Sequence, residues 1–252
     1  MCTLSFLPSA QAHGFHLLMN RDEQRSRPRA LPPALQTCGS RQALYPRESG
    51  GGTWIGINES SLTMALLNWY SQPQKTADAL ISRGTLIPAL LSSGTLREAE
   101  EHLLNQPLTH IQPFRLIMIS PKESLVLEEA FDGHFLERKE HAWERTHWFS
   151  SGYDEPRASK NRATCCAAIA DNLSGSKVLA RLRELHSSHL PEKGPFSICM
   201  HREDAQTVSM TEISVTESLA SMRYHDGPPC KSLHDPAVEK NLAICVKSHR
   251  NS

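Results

Sequence analysis

Two apolar runs near the start of the chain, Cys2-Thr3-Leu4-Ser5-Phe6-Leu7 and Phe15-His16-Leu17-Leu18-Met19, constrain the fold more than any other feature. Between them Pro8-Ser9-Ala10-Gln11-Ala12-His13-Gly14 is rich in turn formers, so the runs predict an antiparallel hairpin. Pairing about the middle of that turn sets Leu4 against Leu18 and Phe6 against His16, and brings Cys2 level with Asn20 or Arg21. The chain thus begins inside a sheet with a thiol at its second position. A residue as small as cysteine permits removal of the initiator methionine, which leaves a thiol and a free α-amine on one residue. Thiolate is the attacking species, and an amine with an ordinary pKa near ~8 can take the thiol proton near neutral pH. Taken alone, a second-position cysteine is more simply a small buried residue.

The neighbours of Cys2 change that balance. The hairpin delivers Asn20-Arg21-Asp22-Glu23 beside the thiol. There the Arg21 guanidinium would favour thiolate, and the Asp22 carboxylate would hold and orient the α-amine. Such a charge run is more commonly a strand end turning into solvent, here followed by Arg25-Ser26-Arg27-Pro28. Placement beside Cys2 is what gives it functional weight. Further on, Gly50-Gly51-Gly52 precedes two short apolar runs around Asn58-Glu59-Ser60-Ser61, a second hairpin whose far end delivers Asn68. An asparagine amide can donate to the oxyanion that develops in acyl transfer.

The coarse element order is strands, helices, strands, helices, strands, an α+β layered pattern. A helix is expected over residues 77–91, kinked by Pro88. Thr95-Leu96-Arg97-Glu98 is a capping box that opens a helix with Leu96, Ala99, Leu103 and Leu104 on its inner side. Strands are expected over residues 114–119, 124–128 and 131–137, helices over 158–172 and 177–186, and strands again over 196–200 and 206–215. Residues 1–230 read as one domain, and 231–252 as a C-terminal tail.

Lysine plus arginine and aspartate plus glutamate number 27 each, so no net field draws the chain to nucleic acid. No run is long and apolar enough to span a bilayer, and the N-terminus lacks the pattern of a secretory signal. The seven cysteines are an odd number with Cys165 and Cys166 adjacent, which suits reduced thiols and a cytoplasmic location. Thirteen histidines raise the question of metal. The spacings His186-Ser187-Ser188-His189 and Cys199-Met200-His201 match no zinc motif, so no metal is expected, although strand alternation would put Cys199 and His201 on one face.

Taken in order, Met1-Cys2, Asn20-Arg21-Asp22-Glu23 with Arg27-Pro28, Gly51-Gly52-Thr53-Trp54-Ile55-Gly56, Leu67-Asn68 and Ser82-Arg83-Gly84 resemble the NRDE family, which includes the transport and Golgi organisation 2 proteins. His147-Trp148-Phe149-Ser150-Ser151-Gly152 and Cys199-Met200-His201-Arg202 extend the resemblance to about residue 230. That family is in turn similar to N-terminal nucleophile hydrolases such as penicillin V acylase and bile salt hydrolase. The resemblance implies a four-layer αββα sandwich with catalytic residues at Cys2, Arg21, Asp22 and Asn68. The second asparagine of the acylases has no counterpart here, where the chain reads Ser150-Ser151-Gly152. The expected activity is hydrolysis or transfer of an acyl group from an amide, ester or thioester of a small or lipid-like substrate, with no cofactor required. The alternative implied by the family is a non-catalytic carrier of haem or a similar amphipathic molecule, with haem as a possible transported ligand.

Overall fold

The computed structural model describes residues 2–11, 13–76, 80–168 and 176–245. Strands β1 (Cys2–Pro8) and β2 (Phe15–Gln24) form the expected hairpin, with Cys2 opposite Arg21. Leu4 lies opposite Met19 rather than Leu18, and Phe6 opposite Leu17 rather than His16. The shift arises in the turn, where the Ser9 N–H bonds to the Gly14 carbonyl at 2.9 Å and Pro8 pairs with Phe15.

β2 continues through the charged tetrapeptide because both of its edges are occupied. It lies between β1 and β11 (Ala205–Val215) in a six-stranded antiparallel sheet of order β10-β1-β2-β11-β12-β13, completed by β10 (Thr146–Ser150), β12 (Leu219–Asp226) and β13 (Val238–Ala243). A second sheet runs β3 to β9 in chain order: β3 (Leu31–Cys38), β4 (Arg41–Arg47), β5 (Ile55–Asn58), β6 (Thr63–Asn68), β7 (Phe114–Ser120), β8 (Leu125–Phe131) and β9 (Leu136–His141). Alternation on β1 sends Cys2, Leu4 and Phe6 into the core between the sheets, against Ile55, Leu67 and Ile117. The outer face of the second sheet buries Met64, Leu66 and Leu116 under α1 (Leu86–Leu90) and α2 (Leu96–Leu104). The outer face of the first carries α3 (Glu155–Ala167) and α4 (Ser176–Ser187). The four layers are thus helix, sheet, sheet, helix, the expected αββα sandwich of the α+β class.

Several elements depart from expectation. Within 77–91 the described residues form a single 3₁₀ turn at Arg83–Thr85 followed by the five-residue α1, and 77–79 lie outside the described residues. Pro88 falls in the first turn of α1, where a missing N–H leaves no intrahelical bond unmade. Thr95 caps α2 by accepting from the Glu98 N–H at 3.2 Å, but Leu104 is 67% exposed, because the apolar stripe closes with Leu103. Residues 196–200 form bends and not a strand. The chain beyond 230 is not only a tail: β13 adds an edge strand to the first sheet, burying Leu242.

The interface between the first sheet and α4 buries Leu18 against Val178, Leu182 and Leu185, and a chain of polar side chains runs through it. Ser5 Oγ lies 2.8 Å from both His186 Nε2 and His147 Nδ1, and His186 Nδ1 lies 3.0 Å from Asn20 Oδ1. The Asn20 Nδ2 donates to the His186 and Ile198 carbonyls, so its Oδ1 must accept, and His186 carries its proton on Nδ1. Ser5 therefore donates to His186 Nε2 and accepts from His147 Nδ1. Both imidazoles are neutral in this chain of bonds. Burial pushes the His186 pKa down to about 3 and that of His147 to about 4. Their folded pKa values are depressed, so their contribution is complete above the unfolded pKa near ~6.5 and is lost as pH falls towards 4. Each histidine should remove up to about 1.4 kcal/mol of stability per pH unit over that window. Urea midpoints measured from pH 7 to 5 should fall steeply, and His147→Gln should flatten the slope; an unchanged slope would refute the assignment.

Candidate active site

Alternation at the end of β2 divides the tetrapeptide between two faces. Asn20 and Asp22 turn to the helix layer, while Arg21 and Glu23 turn to the other face. A register shift in β11 between Thr207 and Ser209 sits opposite this point. It brings Thr207 Oγ1 to donate to Asp22 Oδ1 at 2.6 Å. From α3, the fully buried Arg162 reaches beneath the strand ends. Its Nη1 donates to the Cys2 and Ser150 carbonyls at 3.3 Å and to Thr3 Oγ1 at 3.1 Å, and its Nη2 donates to Asp22 Oδ2 at 3.3 Å. One guanidinium thereby ties together β1, β2 and β10.

On the other face, Cys2, Arg21, Trp54, Asn68 and Arg83 line a common cleft of about 320 Å³, and Asp22 borders the same cleft while its carboxylate is held on the helix side by Thr207 and Arg162. All four site residues expected from the sequence are therefore brought together there. Asn68 ends β6, and its Nδ2 donates to the Tyr70 hydroxyl at 2.7 Å. Arg83 is set by a close approach of two backbones. A Cβ on Gly52 would stand 3.1 Å from the Gly84 carbonyl carbon, and the Thr53 N–H bonds to the Gly84 carbonyl at 2.9 Å. The Arg83 guanidinium donates to the Pro113 carbonyl at 2.8 Å. Burial lowers its pKa, opposed by Tyr70 and Cys2.

The thiol differs from expectation in charge. Burial pushes the Cys2 pKa up, the Asp22 carboxylate adds to this, and the Asp22 backbone N–H and Arg21 pull it down by less. Arg21 is a weak contributor because its own charge is shared: it donates to Glu48 and, at 3.2 Å, to Glu23, and it lies 4.4 Å over the Trp54 ring. At neutral pH the thiol keeps its proton, so attack needs a base at the moment of reaction. Ser150 stands directly opposite Cys2 on β10, and its Oγ is buried with no hydrogen-bond partner among the described residues.

Arg162, Thr207 and Glu48 were not among the expected site residues. Arg162 sits mid-helix with no local motif, and Thr207 acquires its role only from the bulge in β11. Arg83 lay in a matched motif, Ser82-Arg83-Gly84, which did not by itself indicate a place in the cleft.

The transport and Golgi organisation 2 (TANGO2) family model matches residues 1–224. No curated protein matches by sequence. Among solved structures, penicillin V acylase from Agrobacterium tumefaciens is similar, with a TM-score of 0.53 at 11% identity over 90% of this chain and 86% of that one. The C2A mutant of conjugated bile acid hydrolase from Clostridium perfringens aligns with a TM-score of 0.53 at 10% identity over 97% of this chain and 92% of that one. At such identities the likeness is one of fold. No helix among the described residues is long and apolar enough to cross a membrane.

Proposed function

The chain belongs to the transport and Golgi organisation 2 family, and from its site we propose an N-terminal cysteine hydrolase or acyltransferase acting on an amide, ester or thioester. One observation carries this reading: Cys2, at the first position of a central strand, shares a cleft with Asn68 from the opposite sheet. Removal of Met1 would give Cys2 an α-amine. That amine takes the thiol proton as sulfur attacks the acyl carbon, and the carbonyl electrons become an oxyanion. Asn68 gives one N–H to Tyr70 and has a second for the oxyanion. Collapse expels the leaving group, which takes the proton from the α-ammonium and leaves a thioester on Cys2. Water then cleaves the thioester in a hydrolase, or a second nucleophile accepts the acyl group in a transferase.

Asp22 is the carboxylate proposed to orient the amine, with Thr207 and Arg162 fixing its two oxygens. Arg83 is a cleft cation with no carboxylate partner among the described residues, which suits an acyl substrate bearing a negative group. All seven cysteines are unpaired, in keeping with a reducing, cytoplasmic setting.

Asn68→Ala is the sharpest test of the oxyanion role. It should lower turnover of a chromogenic ester by roughly 10²–10³ while leaving alkylation of Cys2 nearly unchanged, because the donor acts on the transition state and not on the thiol. Unaltered turnover would remove Asn68 from the mechanism. Stoichiometric haem binding that survives Cys2→Ala, with no acyl-enzyme on any ester, would instead favour the carrier.

A further inference from the structure

Four side chains from three separate segments meet at one point away from the Cys2 cleft. His189 lies just beyond α4, Cys199 lies in the bends before β11, His201 forms an isolated bridge with Gln206, and Cys230 lies in α5 (Pro229–Ser232). One ligand atom from each is within 4.8 Å of all the others. His201 Nε2 stands 3.4 Å from Cys230 Sγ and 3.6 Å from Cys199 Sγ. Sulfur at ~2.3 Å and nitrogen at ~2.05 Å from a tetrahedral zinc lie about 3.5 Å apart, so these spacings are edges of such a tetrahedron. The His189 and His201 rings meet edge to face at 5.0 Å.

A second observation points to a missing partner. His189 Nε2 is a buried polar atom with no hydrogen bond among the described residues. Buried imidazole nitrogens rarely go unpaired. The backbone holds the cluster in place: the Cys199 N–H bonds to the Ser188 carbonyl at 3.0 Å, and the His201 N–H to the Gly194 carbonyl at 3.1 Å.

We propose that His189, Cys199, His201 and Cys230 bind one zinc ion as a closed, four-coordinate structural site. Two thiolates and two imidazoles are the donor set of zinc rather than of magnesium or calcium, and two thiolates balance its charge. Binding releases the two thiol protons to solvent. With four protein ligands no position remains for substrate, so the ion pins α5 to the bends before β11. That anchorage reaches the catalytic end of the sheet through Thr207, whose Oγ1 accepts from the Met200 N–H at 2.8 Å and donates to Asp22. The ligands escape sequence motifs because nine, one and twenty-eight residues separate them. The site does not depend on the acyl-transfer reading.

The full chain, purified under reducing conditions without a histidine tag, should contain one zinc per chain by plasma mass spectrometry. Exchange into cobalt(II) should give a thiolate-to-cobalt charge-transfer band and the strong visible bands of tetrahedral coordination. Cys199→Ser and Cys230→Ser should each weaken zinc binding by more than ~100-fold, whereas Cys245→Ser should keep one ion. Where a variant fails to fold, the cobalt spectrum of the unmodified chain and protection of two thiols by zinc still decide the matter. Zinc-free protein that takes up neither ion, a cobalt thiolate band that survives when Cys199→Ser and Cys230→Ser are combined, or a Cys199–Cys230 disulfide in the reduced preparation would overturn the proposal.

Discussion

Replacing Arg162 with methionine is expected to destabilise the fold by about 3–5 kcal/mol, because it removes the guanidinium from a fully buried ion pair with the Asp22 carboxylate. Both side chains of this pair are fully buried, so water cannot compensate. The same change strips a donor from the Cys2 and Ser150 carbonyls and from Thr3 Oγ1. For a chain of this size the loss corresponds to a fall in melting temperature of about 10 °C. Adding Asp22→Asn to the Arg162→Met background should recover part of it, since the buried negative charge that Arg162 balanced is then gone. A melting temperature unchanged in Arg162→Met would show that the guanidinium does not hold the strand ends.

How much of this was legible in the sequence follows from the range of the signals. The β1–β2 hairpin and α2 were readable because a turn and a capping box are local chemistry, written within a few residues of the element they define. Cys2, Arg21, Asp22 and Asn68 were legible as a set because hairpin pairing and the end of β6 carry them to one edge, and the structure gathers them in one cleft. The electrostatics were not legible. Arg21 looked like a partner for the thiol, yet Glu48 and Glu23 take its charge, and Glu48 comes from the loop after β4, which pairs with β3, a strand containing Pro32 and Pro33; neither strand was expected from the sequence. Arg162 was illegible for the same reason, and of the His189, Cys199, His201 and Cys230 cluster only the Cys199–His201 pair stood out, as two residues on one face. Their partners are fixed by the packing of α3 and α5 on the sheet, which no spacing in the chain encodes. Residues 196–200 read as a strand from their apolar character, but their backbone instead serves the bends that carry Cys199 and lead to His201.

Loss of the Cys2 thiol has the largest expected effect on activity. In Cys2→Ala no atom at that position can form a thioester, so turnover of an acyl substrate should fall by roughly 10⁴-fold or more, to what the remaining cleft supplies. Stability should change little by comparison, since alanine keeps the strand pairing of Cys2 with Arg21 and Ser150 and loses only one buried sulfur. Retention of Met1 would have nearly the same kinetic consequence with the thiol intact, because the base proposed for Cys2 is its own α-amine. The most direct measurement is therefore the intact mass of the native protein before and after brief exposure to an activated acyl ester, with the labelled residue located by fragmentation. The account predicts a chain that begins at Cys2 and gains one acyl group, held on the Cys2 sulfur as a thioester and lost again as turnover proceeds. A chain that keeps Met1 throughout, or one that begins at Cys2 and never carries an acyl group there, would contradict it.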